Sequence, residues 1–581
     1  MKHIHIYILI IVFCLIACER KGTAPTTSAM KKADFIYIED NTFKLNEDSI
    51  FIVMLNYVVD FRDINGEFVL SPYKAYENPN IYEYHTKEAI YHQIEGHFQL
   101  IKELGFNTVR LCFDRISCND EGKYFFPTDN KEYFIEKEAK QIIESLKACI
   151  HIATEKGLRV MLLIKPPIDN EALENFTVKI LREFQNNPTI FAYDFMNEPL
   201  YFDAKPRRAK TEAMKIVRRW KQLMSKHAPN QLLTIGFSEP IEVFEWDPYL
   251  LDVDFIQIHT YHPLRVPNEI YWYSQYMNKP WMIGETALPA DNDSVSYEHQ
   301  RQFMIDAFRY TVDCGGCGFG WWDFQESVNT HFEAQYSGLL NHKGITFTKD
   351  GDYTIKGTLK PAAYEINQLK SYRKNAPQKA INYYNMLGYG NFCVKGIVLS
   401  KTTQLPVEGA VIRGWNEDWS IGMNTFTNEK GEFTLYSNDE CVHFEISAPG
   451  MSEVKFYEKF NYQAVNETDI NKLNNRHIEY HMISYFPFLE DTTLQDCRLK
   501  YPIFTFDSTK FFQYQYLATI KAIYLTHIPV LNTEYLKSFL LRYDGQCRLS
   551  TLGITLNPLF FTIFNASHSV RSIVVFLRHK K

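Results

Sequence analysis

Two glutamates in this chain sit where a short apolar run gives way to a turn. Glu198 lies in Asp194-Phe195-Met196-Asn197-Glu198-Pro199, and Glu285 in Ile283-Gly284-Glu285-Thr286. A pair of carboxyl groups suits combined acid–base and nucleophilic work. One must be protonated to deliver a proton and the other ionised to attack, and opposite protonation at one pH requires unlike surroundings. Arg110, in Asn107-Thr108-Val109-Arg110-Leu111, brings a cation that would favour the charged form of a neighbouring carboxylate. His259-Thr260-Tyr261 closes another apolar run, and Gly320-Trp321-Trp322-Asp323-Phe324 ends a later one. The competing reading is structural. The glutamates would be salt-bridged framework residues, Arg110 a bridge between strands, and His259, Tyr261 and Trp322 core or loop residues.

These residues need elements to position them. Between about Ala33 and Lys370 eight apolar runs recur: Phe51–Tyr57, Thr108–Phe113, Arg159–Ile164, Ile190–Met196, Leu232–Phe237, Phe255–His259, Trp281–Gly284 and Gly318–Trp322. Amphipathic stretches separate many of them, at Lys87–Leu104, Glu132–Lys156, Glu171–Gln185, Thr211–His227 and Tyr297–Cys314. Runs apolar on every residue are strands buried on both faces, as in a parallel sheet covered by helices. Eight of them in βα alternation predict a (β/α)8 TIM barrel over 33–378. A doubly wound open sheet is the rival. No Gly-rich phosphate loop follows the first run, which counts against a nucleotide-binding version. In a barrel the C-terminal strand ends form the active-site face, and Arg110, Glu198 and Glu285 are expected there.

The rest of the chain bounds the setting. At 581 residues it is long enough for a large barrel plus smaller modules, and 45% apolar content is that of a globular protein. The formal charge of −7, with no long basic run, argues against a nucleic-acid partner. Near the N-terminus Lys2 precedes an apolar run from Ile4 to Ala17, the length of a signal-peptide core rather than a bilayer span. It ends in Leu15-Ile16-Ala17-Cys18, which resembles the lipobox of bacterial lipoproteins. That resemblance implies a leader over 1–18, a lipid on Cys18, a tether over 19–32, and an exported protein anchored to a membrane at the cell surface or in the periplasm. A plain signal peptide is the alternative. The 11 cysteines are scattered. Cys314-Gly315-Gly316-Cys317 lacks a second pair or His at zinc spacing and reads as small residues packed before a strand.

After Lys379 the pattern changes to short strands and turns. Val394–Leu399, Pro406–Val411, Thr427–Phe433 and Ile446–Gly450 predict a small all-β sandwich over 390–485, with Asn428-Glu429-Lys430-Gly431 as a hairpin turn. This segment resembles the carboxypeptidase regulatory-like domain appended to exported bacterial proteins. Residues 486–581 remain unassigned.

The order Arg110, Asn197-Glu198-Pro199, His259-Thr260-Tyr261, Glu285 and then Trp resembles the clan A glycoside hydrolases, most nearly family 5 with its cellulases and mannanases. The resemblance covers the whole predicted barrel. It implies hydrolysis of a β-glycosidic bond by double displacement through an oxocarbenium-like state, with Glu198 as acid/base, Glu285 as nucleophile and retained configuration. The substrate would be a β-linked polysaccharide or oligosaccharide, cut more often internally than from an end, with no metal or other cofactor. Asn197 would bond the sugar 2-OH, Tyr261 would hold the nucleophile, and His259 would lie near the acid/base. Trp322 would floor the reacting subsite, with Trp321 in its place if the register slips by one. Many relatives end strand three with a histidine. This chain has Leu163-Ile164-Lys165-Pro166-Pro167 there, which leaves the substrate open. The functional alternatives are a transglycosylase on the same site and a non-catalytic surface glycan-binding protein.

Overall fold

The structure is a computed structural model that describes residues 34–73, 85–261, 263, 265–327, 332–372, 392–400, 403–437 and 439–457, and strands within 488–577. The leader, Cys18 and the tether lie outside the described residues.

Eight parallel strands form the centre: β1 (Ile52–Ile64), β2 (Thr108–Phe113), β3 (Arg159–Ile164), β4 (Ile190–Asn197), β5 (Leu232–Phe237), β6 (Ile256–His259), β7 (Trp281–Glu285) and β8 (Gly318–Trp321). They pair in the order β7-β6-β5-β4-β3-β2-β1-β8. The two ends of that order meet, because Cys317 N donates to Trp281 O at 2.8 Å and Trp322 N to Thr286 O at 3.0 Å. The sheet therefore curls onto itself, with no edge left open at this seam. Every residue of β2 and of β7 is buried, as the unbroken apolar runs require.

Helices α1 (Lys87–Glu103), α2 (Ala139–Glu155), α3 (Glu171–Phe184), α4 (Lys210–His227), α5 (Val266–Tyr276) and α6 (Tyr297–Asp313) pack outside the strands. Three of them start on side-chain caps. Thr86 accepts from Ala89 N at 3.2 Å, Asn170 from Leu173 N at 2.9 Å and Ser296 from His299 N at 3.1 Å.

Several expectations need correction. Residues 132–134 do not begin a helix. Glu132–Phe134 pairs antiparallel with Tyr124–Pro127, which buries Tyr133, and α2 starts only at Ala139. β1 runs seven residues beyond Tyr57 and folds back on Glu67–Pro72. The connection is Asn65-Gly66, both at positive φ (55° and 86°), the two-residue turn that a right-twisted hairpin favours. Between β5 and β6 there is no long helix, only a 3-10 turn at Pro240–Phe244. Arg110 sits in the middle of β2 rather than at its end.

Beyond the barrel lie β9 (Phe392–Ser400), β10 (Val411–Trp415), β11 (Gly422–Phe426), β12 (Glu432–Ser437), β13 (His443–Ser447) and β14 (Val454–Tyr457). One sheet has the order β11-β10-β13-β14. The other joins β12 and β9 to Cys497–Lys500 and Phe488–Leu489, from the segment left unassigned. The Asn428–Gly431 turn is therefore not a hairpin, because β11 and β12 belong to different sheets. Asn428 Oδ1 accepts from Lys430 N and Glu432 N at 2.9 and 3.0 Å, and Gly431 takes φ 72°, so the chain crosses from one sheet to the other. Val411 and Phe426 of this module are buried in the same apolar cluster as the barrel helices.

Candidate active site

The parallel strands aim their carboxyl ends at one face, and the polar residues gather there. Arg110, wholly buried, is the hub. Its Nε and Nη2 donate to Asp194 Oδ2 at 3.0 and 2.8 Å, its Nη2 to Asn197 Oδ1 at 2.8 Å and its Nη1 to Asn56 Oδ1 at 3.0 Å. Nη1 also bonds Glu285 Oε1. Burial alone would disfavour the guanidinium charge, but Asp194 and Glu285 outweigh it and raise the Arg110 pKa. Asp194 is in turn held by Gln257 Nε2 at 2.6 Å and by Gly236 N at 3.2 Å.

Glu285 ends β7 with both oxygens engaged, Oε1 by Arg110 and Oε2 by the Tyr261 hydroxyl. Burial, followed by the nearby carboxylates, holds the Tyr261 phenol well above its ordinary pKa, so it stays a donor. Glu198 follows β4 in a left-handed conformation, φ 39°, with its N–H on Gly236 O at 2.7 Å. Such a backbone is costly for a residue with a Cβ and persists only where its surroundings hold it. Its carboxyl is pushed up to about 7, first by burial and then by Glu239, against the pull of Arg110. Glu239 is itself fastened by Arg265 Nη1 at 3.1 Å and the Tyr201 hydroxyl at 3.3 Å.

His259 stands between the two glutamates. Its Nδ1 is 2.9 Å from Glu198 Oε1 and 3.4 Å from Glu285 Oε1. Burial lowers its pKa to about 4, so the ring is neutral near pH 7. It rests on Gly236, where a Cβ would meet the ring at 2.6 Å. One oxygen of each glutamate and one His259 nitrogen lie within 4.8 Å of one another. That spacing is open to a cation, but Arg110 already supplies positive charge to the Glu285 oxygen, which repels a second one.

Of the residues singled out from sequence, Arg110, Asn197, Glu198, His259, Tyr261 and Glu285 are thus brought together. Trp322 lies one residue past β8, half-buried, its N–H on the carbonyl of Thr286. Its neighbour Trp321 is fully buried, with its indole N–H on Ser337 O at 3.2 Å, and so cannot meet a ligand. Trp272 and Tyr273 are buried in α5, their indole N–H and hydroxyl donating to Gly409 O and Ser238 O. Asn56, Asp194, Gln257 and Glu239 were not assigned a role from sequence. Asn56 and Gln257 were each a polar residue in an otherwise apolar run, and Gln257 lies two before His259, on the same face. That pattern was the available signal.

Residues 73–326 match the family model described as Cellulase (glycosyl hydrolase family 5). No curated protein matches the chain. Solved structures with a similar course include the exo-β-1,4-mannosidase Op5Man5 from Opitutaceae bacterium strain TAV5, at 16% identity. There 58% of this chain covers 62% of that one, with a TM-score of 0.39. An endo-1,4-β-mannanase from Eisenia fetida, at 16%, aligns over 50% of this chain and 89% of its own, with a TM-score of 0.33. A β-glucosidase from Thermotoga maritima, at 11%, aligns over 56% and 98%, with a TM-score of 0.37. Likenesses this distant do not bear on substrate. The segment that matches the family model spans both glutamates and is similar to a family 5 glycosyl hydrolase domain, and the chain spans under two thirds of the length of the mannosidase.

Proposed function

We propose that this protein hydrolyses β-linked glucan- or mannan-type chains with retention of configuration, Glu198 being the acid/base and Glu285 the nucleophile. The observation that carries the reading is the contrast between two carboxyl groups that share His259. One oxygen of each lies within 4.8 Å of one oxygen of the other, closer to the spacing of a retaining pair, about 5–5.5 Å, than to the about 6.5–9.5 Å of an inverting one. The nucleophile is the glutamate bonded to a guanidinium, which stabilises its anion. The acid is the one whose environment keeps a proton near pH 7.

In the first step Glu285 attacks the anomeric carbon while Glu198 gives its proton to the leaving oxygen. In the second, Glu198 takes a proton from water as water displaces Glu285. Tyr261 fixes the attacking carboxylate. Asn197 commits its carbonyl oxygen to Arg110, which leaves its amide N–H as the donor for the sugar 2-OH. Trp322, the accessible member of its pair, floors the reacting subsite. We read the appended sheets as a carboxypeptidase regulatory-like module and the leader as a lipoprotein signal that anchors Cys18 to a membrane. Loss of membrane association in Cys18→Ala tests the anchor.

The catalytic reading is tested on a panel of β-glucans, β-mannans and aryl β-glycosides, with the anomeric form of the first product followed by NMR. Turnover with retention, lost in both Glu198→Gln and Glu285→Gln, supports it. Equal turnover in Glu285→Gln, or an inverted first product, overturns it.

A further inference from the structure

The outer sheet of the sandwich meets the barrel on the loops that carry Glu198 and Glu239, and its face continues past that junction into solvent. Val411, Arg413 and Trp415 alternate onto one face of β10, opposite Phe426, Asn424 and Gly422 on β11 and Ser447, Glu445 and His443 on β13. At one end this face is dry. Val411 and Phe426 join the barrel core, Ser447 Oγ receives Lys210 Nζ at 2.9 Å, and β10 packs on the 3-10 turn Pro240–Phe244.

At the other end the face emerges as a row of rings. Arg413 lies over Trp415 at 4.2 Å, and the carboxylates of Glu445 and Glu239 are near enough to favour its charge against its burial. Trp415 and Trp419 stand 5.2 Å apart, and Trp419 stacks on His443 with centroids 4.0 Å apart and 19° between planes. Arg207, in the barrel loop that follows Glu198, places its guanidinium 5.4 Å from the Trp419 ring and 3.8 Å from Glu445. Trp419 nonetheless stays 45% exposed, at φ 64°, in a turn built by Asn416, whose Oδ1 accepts from Ile421 N at 3.0 Å. A bulky residue adopts that backbone only where the surroundings impose it. On the barrel side Tyr201 and Phe202, three and four residues after Glu198, are 57% and 64% exposed. Single exposed aromatics are ordinary. Exposed aromatics on two modules, with Trp419 joined through Arg207 to the loop that also carries Tyr201 and Phe202, are not.

We propose that Tyr201, Phe202 and the Trp419–Arg207 pair form an outer binding surface, completed by the sandwich, for the sugars on the leaving-group side of the scissile bond. This rests on the glycosidase reading above, since the side is set by which glutamate protonates the leaving oxygen. Aromatic faces offer apolar contact to the C–H faces of pyranose rings, and the guanidinium offers donors to their hydroxyls. The module would then select chains of several sugars over short glycosides.

The test uses the full chain and its Trp419→Ala and Trp419→Phe variants on β-1,4-linked gluco- and manno-oligosaccharides of two to six units and on aryl β-glycosides. A ring stacking contact of ordinary strength predicts that the ratio of kcat/KM on the hexasaccharide to that on the aryl glycoside falls about 3- to 10-fold in Trp419→Ala. Trp419→Phe should restore much of it. An unchanged ratio overturns the proposal, as does an equal loss on every substrate. Hexasaccharide binding to Glu198→Gln, with and without Trp419→Ala, separates the two readings. If the wild type cleaves nothing but Trp419→Ala weakens binding, the surface stands and the hydrolase reading falls. If binding is unmoved, the surface falls.

Discussion

Replacing Glu198 with glutamine should remove activity and, above neutral pH, stabilise the fold. The carboxyl is pushed up to about 7 from an ordinary 4.5, chiefly by burial. The folded protein therefore binds this proton more tightly than the unfolded chain does. Between pH 4.5 and 7 the folded state holds the extra proton, so stability falls as pH rises through that window and levels off above about 7. A shift of about 2.5 units at about 1.36 kcal/mol each puts the cost near 3 kcal/mol at pH 8 and near zero at pH 4. Glutamine has the shape of the protonated acid and carries no charge to bury. Glu269, buried and pushed up to about 8, titrates in the two proteins alike and cancels in the comparison. Glu242, also buried and pushed up to about 8, loses in the variant the Glu198 charge that helps to raise it, which adds to the gain of the variant at high pH. Chemical denaturation at pH 5 and pH 8 is the assay. The variant should match the wild type within about 1 kcal/mol at pH 5 and exceed it by about 2–3 kcal/mol at pH 8, while hydrolysis drops about 10²–10⁴-fold. A stability difference that is the same at both pH values would refute the reasoning, because the gain would then owe nothing to a titrating carboxyl.

Wild-type kcat/KM should fall as pH rises through about 7, as the acid loses its proton, and the limb should vanish in Glu198→Gln; a profile flat from pH 6 to 8 contradicts the assignment. Arg110→Met leaves Asp194 and Glu285 buried without their cation and should cost about 3–5 kcal/mol by denaturant titration. A loss under 1 kcal/mol would mean that the hub is not structural. Gly236→Ala drives a methyl group into the His259 ring, which must move off Glu198. Hydrolysis of an aryl β-glycoside should drop about tenfold or more with circular dichroism unchanged, and wild-type kinetics would count against any role for the His259 contact. Trp272→Phe deprives the buried carbonyl of Gly409 of its donor, and thermal melting should show a loss of about 1–3 kcal/mol at the junction of barrel and sandwich. An unchanged melt would show that this bond does not hold the two together.

The barrel strands were legible because burial on both faces leaves an unbroken apolar run, and β2, β3 and β5 begin and end at the residues where those runs do. Glu198 and Glu285 were legible because each is a carboxylate closing such a run. Local pattern failed where pairing partners decide. Glu132–Phe134 is a strand only because Tyr124–Pro127 lies beside it, and the Asn428–Gly431 turn crosses between sheets because β11 and β12 find different partners. The sequence alone determined the residue types, their order along the strands and the alternation that sends Gln257 and His259 to one face. Tertiary structure alone decided that Arg110, from mid-strand, reaches Asp194, Asn197, Asn56 and Glu285 at once. It also decided that burial, with Glu239 nearby, chiefly sets the proton on Glu198, and that the appended sheet packs against the barrel. Proton affinity depends on solvent exclusion and on charges that are remote in sequence, and neither exists until the strands have closed.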